Sequence, residues 1–446
     1  MADLLEKEGF SVKILNIPLE LYIDSRWTLT KFLERVHAKI YAISLHWVLS
    51  SYGSIETARV CKRIDPSAAV VLGGLTASYF DGEIMKEFSF VDYIVRGDGE
   101  FPMLELSNRL LKGASSAIPN LTFRTGKEIV RTPTSYVATS IDHLSFARLE
   151  LLEHWKEYLK IMRKAMGLPF SIAVGRGCPF NCPFCGGGQK AGEITNGRST
   201  VVLRNIEKVV EDINALIEIA DAKSVYFGHG VYPQNISYWK KLFRIIQKEK
   251  INIGADLEIW RLPVDRNFVT EFSKTFDHTA SSLSFVTYPK RVRSRLEPLT
   301  DSYFNYDENA YHGLLTEATA SDIPLRLWFT VGNPFETVKD TFENLEAIAK
   351  IFASRKEKRR NIAFFNLPVT VNPAAPAFEK PSSFGISLEP STFLDFYKLF
   401  RDARFILGEV NNVVNYRTDS LSKRAIKFWN NVLTVASVPF FLTSNH

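Results

Sequence analysis

Cys178-Pro-Phe-Asn-Cys182-Pro-Phe-Cys185 is the stretch on which the reading of this 446-residue chain turns. It holds three of the four cysteines; the fourth, Cys61, lies far upstream. Each thiolate on so short a loop can bind one iron of a cubane iron–sulfur cluster. A cubane has four irons, so a triplet leaves one iron open to chelate a small molecule directly. The spacing therefore points first to a cluster that does chemistry, and second to one that only shuttles electrons. Two other readings of the triplet stay open. Zinc would need a fourth ligand, which His229 or His278 could supply. A disulfide fits poorly with so few cysteines. Gly175, Gly177, Gly186, Gly187 and Gly188 flank the triplet and let the backbone turn tightly, while Pro179 and Pro183 stiffen it.

Working outward, residues 169–174 read as a strand. Residues 201–220 read as an amphipathic helix, with Val202, Ile206, Val209, Val210, Ile213, Leu216 and Ile217 at helical spacing. The cysteine loop thus joins a strand to a helix. Further strands are expected at 224–227, 251–257, 282–287, 325–331 and 362–367, most of them followed by helices. Six strand–helix units predict a partial (β/α)6 TIM-like barrel over 169–370, with its chemistry at the carboxyl ends of the strands. Those ends carry Gly228-His229-Gly230, Asp256 and Glu258, the basic stretch around Arg291 and Arg293, and the turn Gly332-Asn-Pro334.

Upstream, apolar runs at 11–17, 40–45, 68–74 and 91–96 alternate with helical stretches at 27–37, 54–64 and 81–88. Near-continuous apolar strands separated by helices predict a parallel, flavodoxin-like (Rossmann-type) sheet covered on both faces, spanning 1–120. Its ligand-facing loops would be Ser44-Leu45-His46-Trp47, Gly73-Gly74 and Gly97-Asp-Gly99-Glu100. The chain opens on a helix at 2–8, where such folds open on a strand that lies mid-sheet; without it the ladder should show a gap. A hairpin at 120–130, turning at Thr125-Gly126, and a helix at 149–166 form a linker over 121–168. The remainder, 371–446, reads as a mainly helical extension, with helices at 391–407 and 420–435. Its aromatics Phe393, Phe396, Tyr397, Phe400, Phe405, Phe428 and Trp429 at helical spacing read as core.

The cysteine spacing, with Phe184 just before the last cysteine, resembles the signature of radical S-adenosylmethionine (SAM) enzymes. The loops of the first sheet resemble the cobalamin-binding domain of the cobalamin-dependent members: Ser44-Leu45, Gly73-Gly74 and Asp92-Tyr-Ile-Val-Arg-Gly97-Asp-Gly99-Glu100. The resemblance implies a 4Fe-4S cluster on Cys178, Cys182 and Cys185 whose free iron binds SAM, and a reduction step that releases a 5′-deoxyadenosyl radical. It implies SAM contacts at Phe184, Gly228, His229, Gly230, Arg291, Gly332 and Pro334. Here the acidic residue usual beside Gly228 is absent, and Thr287-Tyr288 replace the usual Glu-Ser before Arg291. Cobalamin contacts are implied at Ser44, Leu45, Gly73, Gly74, Gly97, Gly99 and Glu100. The resemblance further implies methyl transfer to an unactivated carbon of a small-molecule or peptide substrate, with electrons from a donor such as flavodoxin or ferredoxin. No side chain beyond the cluster ligands is required as a catalyst. A radical cyclase, oxidase or rearrangement enzyme, and a non-catalytic cluster or cobalamin sensor, are the other readings.

Composition bounds these expectations. The hydrophobic fraction of 46% is that of a globular protein with a sizeable core. The first residues are charged rather than those of a signal peptide, and no apolar run is long enough for a bilayer. Reduced thiols without an export signal point to the cytoplasm. The net charge of +6 is modest, and the basic run 355–360 reads as a solvated helix end without a nucleic-acid motif.

Overall fold

The computed structural model describes residues 1–164, 169–265, 267–300, 308–355, 361–366, 368–402 and 413–443. The fold is mixed α/β, built on two larger sheets. The first has five strands in the order β1-β2-β3-β4-β5: β1 (Ile40–Ser44), β2 (Ala69–Gly73), β3 (Tyr93–Val95), β4 (Leu121–Thr125) and β5 (Glu128–Arg131). β1, β2 and β3 are parallel, as their apolar runs predict. β4 and β5 add an antiparallel hairpin through β3, so the segment expected between the two units joins the first sheet. The wholly parallel flavodoxin-like sheet is corrected to a mixed one.

The strand expected at 11–17 does not form; only Ile14 makes an isolated bridge, to Leu152. Asn16 accepts a hydrogen bond from the Leu19 N–H at 3.2 Å and starts the helix Ile17–Ile23, with Pro18 in its first turn. A capping carboxamide followed by a proline favours a helix start over an extended strand. The helix expected at 27–37 shortens to Leu29–Leu33. The gap expected mid-sheet is absent among the described strands, because β1 takes an edge position and pairs with β2 alone. Its Ala42 and Ser44 are exposed.

The cysteine loop lies between β6 (Phe170–Ile172) with a two-residue β7 (Gly175–Arg176) before it and β8 (Val202–Leu203) after it; β7 and β8 pair as an antiparallel ribbon. The helix predicted from 201 therefore begins only at Ile206 and runs to Ala220, with Asn205 as its cap. The second sheet continues with β9 (Ser224–Phe227), β10 (Gly254–Ile259), β11 (Thr279–Val286), β12 (Leu325–Phe329) and β13 (Ile362–Asn366). Its six strands are all parallel, each beside its predecessor, in the order β6-β9-β10-β11-β12-β13. Alternation along β12 shows the two faces. Leu325, Leu327 and Phe329 are fully buried in the core shared with the covering helices, while Arg326 and Trp328 are only half-buried.

The C-terminal segment is more than an appendage. β14 (Ile386–Leu388) and β15 (Tyr416–Thr418) pair antiparallel. The helix Phe393–Asp402 drives Phe393, Phe396 and Phe400 into the core of the first sheet, as the aromatic spacing predicts. Tyr397 donates to Glu56 at 2.8 Å on the helix Ser51–Ile64. The helix Lys423–Thr443 lies along β13, where Asn366 donates to the Asn430 carbonyl at 2.9 Å. Residues 165–168, 356–360, 367 and 403–412 lie outside the described residues, and with them the ends of the expected helices 149–166 and 391–407, Phe405 and most of the basic run. No helix among the described residues is long and apolar enough to cross a membrane.

Candidate functional site

The cysteine loop is fixed almost entirely by backbone. The Cys185 N–H donates to the Cys182 carbonyl at 3.1 Å, and the Gly187 N–H donates to the Cys185 sulfur at 3.3 Å. Gln189 N–H closes the loop on the Phe180 carbonyl at 2.9 Å, and the Asn181 side chain accepts from Lys190 N–H at 2.8 Å. From far downstream, Asn372 N–H donates to the Phe184 carbonyl and Ala377 N–H to the Pro183 carbonyl, both at 3.0 Å. The close approach explains two glycines. A Cβ on Gly186 would stand 2.4 Å from the Pro373 carbonyl oxygen, and one on Gly188 would stand 2.5 Å from that of Phe180.

Cys178, Cys182 and Cys185 line one cavity of 820 Å³. Burial pushes the Cys178 thiol up to about 12 and raises Cys185 as well, so both stay protonated until a bound cation displaces the protons. Among the described residues, no group of three or more His, Cys, Asp or Glu side chains converges on a single ion. Cys61 is buried in the helix Ser51–Ile64, outside the cavity.

The first sheet supplies the opposite wall. Ser44, Gly73, Gly74, Gly97, Gly99 and Glu100 all line the cavity, whereas Leu45 is fully buried and takes no part in the lining. The Gly97 backbone (φ +65°) lies against Asn196, 2.5 Å from where a Cβ would sit, so a side chain there is excluded. Glu100 is engaged within the protein. Burial opposes its charge, but Arg176 at 2.5 Å holds its carboxyl below the usual carboxylate range. Arg176 also reaches Asp98 at 3.1 Å, Arg198 pairs with Asp98, and Asp98 accepts from Ala138 N–H at 2.8 Å. This charged seam ties the loop after β3 to the residues just before Cys178. Trp47 lines the cavity with its indole 3.2 Å from where a Cβ on Gly187 would sit.

Gly228 and His229 face the cavity after β9. His229 is 2% exposed, and its Nε2 has no partner among the described residues. Burial pulls its pKa down to about 4, so the imidazole is neutral at neutral pH. Gly230 lies against the Trp260 ring, 2.2 Å from where a Cβ would stand. Phe184 packs away from the cavity, 5.4 Å from the Tyr416 ring. Arg291 is already engaged: it pairs with Asp340 and donates to the Phe335 carbonyl at 2.8 Å. Gly332 (φ +99°) opens the turn that includes Pro334. The N–H groups of Gly332 and Asn333 donate to Glu336 at 2.7 and 2.9 Å, and Asn344 donates to its other oxygen at 3.0 Å. Glu336 is fully buried, which pushes its carboxyl up to about 7.

The cavity thus gathers the three cysteines, His229, Gly228 and most of the first sheet's loop residues, and leaves Leu45, Phe184, Gly230, Arg291, Gly332 and Pro334 outside its lining. Sequence reading missed Arg176, Arg198, Trp260, Glu336 and Tyr416. Arg176 stands between Gly175 and Gly177, a placement that could have marked it; the others carry no local signal.

No known family profile matches the chain. It is 27% identical over 209 residues to an uncharacterized methyltransferase of Pyrococcus horikoshii, covering 46% of this chain and 40% of that one. It is 28% identical over 176 residues to the anaerobic magnesium-protoporphyrin IX monomethyl ester cyclase of Rubrivivax gelatinosus, covering 38% and 30%. The alignments thus span less than half of either relative. Among solved structures, the fold is similar to that of TsrM, a radical SAM methyltransferase from Kitasatospora setae determined with cobalamin and a 4Fe-4S cluster bound. The TM-score is 0.69 at 16% identity, over 93% of this chain and 83% of that one.

Proposed function

We propose, on the premise that this chain is a cobalamin-dependent radical SAM enzyme in sequence and fold, that its reaction is methyl transfer to an unactivated carbon of a small-molecule or peptide substrate. One observation carries the reading: the three thiols and the glycine-rich strand ends of the first sheet open into the same cavity. In this reading the six-stranded sheet curls as a partial (β/α)6 barrel with the cysteine loop at the carboxyl end of its first strand.

Cys178, Cys182 and Cys185 would each hold one iron of a 4Fe-4S cluster, and the backbone bonds around them keep the three sulfurs apart and oriented. Ser44, Gly73, Gly74, Gly97 and Gly99 would bed cobalamin, glycine permitting close backbone approach. When bound, the cluster with SAM supplies a 5′-deoxyadenosyl radical and cobalamin supplies the methyl group. Neutral His229 offers SAM one hydrogen-bonding nitrogen in place of the family's usual carboxylate. Trp47, Trp260 and Phe180 line the cavity with apolar rings, which would lower the access of water to a reactive species. The Arg176–Asp98–Glu100 seam holds the two walls in register. Electrons would arrive from a carrier such as flavodoxin or ferredoxin.

Anaerobic reconstitution with iron and sulfide, then SAM and dithionite, tests this. We expect both 5′-deoxyadenosine and S-adenosylhomocysteine, and retention of added hydroxocobalamin by its absorption. 5′-Deoxyadenosine without S-adenosylhomocysteine would instead favour radical chemistry without methyl transfer, the reading that the cyclase relative supports. Neither product, with cluster and SAM both bound, would leave a sensor.

A further inference from the structure

The open face of the six-stranded sheet is built unlike an ordinary parallel core. Register places its residues in rungs across the strands. Ser171 pairs with Tyr226, Tyr226 with Asp256 and Asp256 with Ala280. One rung on, Glu258 pairs with Ser282, Ser282 with Arg326 and Arg326 with Ala363. Trp328 then pairs with Phe365. Parallel barrels normally fill this space with branched apolar side chains. The alternate residues here obey that rule on the other face: Val225, Phe227, Leu257, Leu327 and Phe364 are fully buried. The open face does not, and Ser171 on it is exposed while Tyr226, Glu258, Arg326, Trp328 and Phe365 are half-buried.

Its charges do not balance. Asp256 and Glu258 stand two residues apart on one face of β10, against a single guanidinium, Arg326, which pairs with Asp256. No other charged side chain occupies this face of the described strands. Burial pushes the Asp256 carboxyl above its usual range even with Arg326 beside it. Glu258 accepts from the Trp260 indole N–H at 2.9 Å. Trp328 and Phe365 stack, with ring centres 5.0 Å apart and planes 28° from parallel, two residues beyond the Glu258 rung and two and three strands across from β10. The face runs into the cysteine-lined cavity through Glu258, Trp260 and the buried His229, whose Nε2 has no partner among the described residues.

We propose that this face binds the substrate and selects one with a single organic cation, an ammonium or amidinium, held between Asp256 and Glu258, and with a flat apolar body directed across the face toward Trp328 and Phe365. The inference rests on the enzymatic reading above, which makes the cavity beside the cysteines the reaction chamber. An organic cation cancels the surplus charge of a half-desolvated carboxylate pair, whereas an anion would face it unshielded. SAM carries an ammonium too, so the two sources must be separated.

Calorimetric titration of the cluster-loaded protein with benzamidine, benzyl alcohol and benzoate tests the proposal. We expect saturable benzamidine binding at least tenfold tighter than benzyl alcohol and no benzoate binding. Asp256→Asn and Glu258→Gln should each weaken benzamidine at least tenfold, while Arg326→Gln should not weaken it; far-UV circular dichroism and cluster absorption check that each variant folds. Saturating SAM should change the benzamidine affinity less than twofold. Equal binding of the cationic and neutral probes overturns the proposal. So does weakening by both the acidic and the Arg326 variants alike, or stoichiometric competition by SAM. An enzyme that forms 5′-deoxyadenosine yet ignores benzamidine refutes this inference alone. Charge-selective binding without 5′-deoxyadenosine supports the site and counts against the enzymatic reading instead.

Discussion

The two sheets meet at one cavity but hold their walls of it by different means. In the second sheet every strand from β9 to β12 is paired on both sides, and the cysteine loop that follows its first strand is pinned by backbone hydrogen bonds from within and from residues 372–377. In the first sheet β1, which brings Ser44 to the cavity, is paired on one side only, and the loop after β3 is pinned by charge through Asp98 and Glu100 to Arg176 and Arg198. Backbone bonds fix atoms independently of side-chain identity, so the cysteine wall should tolerate side-chain changes apart from its ligands and its close-packed glycines. A wall pinned by buried ion pairs should fail sharply when one partner goes.

Substitutions can break or sharpen that contrast. Cys182→Ala should abolish the broad visible absorption of a reconstituted cluster and 5′-deoxyadenosine formation altogether, while the far-UV circular dichroism stays that of the parent. Retained cluster and product would remove the ligand assignment. Arg176→Met should cost about 3–5 kcal/mol in urea unfolding, because Asp98 and Glu100 remain buried without it. A loss under about 1 kcal/mol would mean the seam holds nothing.

Glu336→Gln probes pH. The folded carboxyl titrates near 7, above the value of 4.5 for an unperturbed glutamate. Its contribution is therefore complete below about pH 4.5 and is lost as pH rises through about 7, by up to about 3 kcal/mol. The variant should flatten the stability profile across that window, and an unchanged slope would contradict the raised value. The smallest effect is expected for Tyr416→Phe. The Tyr416 hydroxyl is fully buried with no partner among the described residues, so its removal should shift stability by no more than about 0.5 kcal/mol, or raise it. Tyr416→Ala, which removes the ring beside Phe184, should instead cost about 3 kcal/mol.

What the sequence disclosed follows the reach of its signals. The cysteine triplet and the strand β9 were readable because their signals lie within eight residues. β12 and β13 were placed within two residues of their ends by apolar runs alone. The apolar run at 11–17 misled, since Asn16 and Pro18 turn it toward a helix. The hairpin β4–β5 was recognised, but nothing local shows that β4 pairs with β3. The cavity lining was legible where a residue contributes its own backbone, as at Gly73 and Gly97, and illegible where a residue is held by a distant partner. Arg176 and Asp98 are 78 positions apart, and Phe184 meets Asn372 across 188. Arg291 looked free to grip a carboxylate because Asp340, its acidic partner, lies 49 positions on.

Phe393 N–H meets Glu83 across 310 positions, and three phenylalanines of its helix complete the core of a sheet made near the start of the chain. On the ribosome that sheet must therefore wait, one greasy flank uncovered, while roughly three hundred more residues emerge at about 5–20 per second. Synthesis alone imposes a delay of some tens of seconds during which a holdase chaperone has something to grasp.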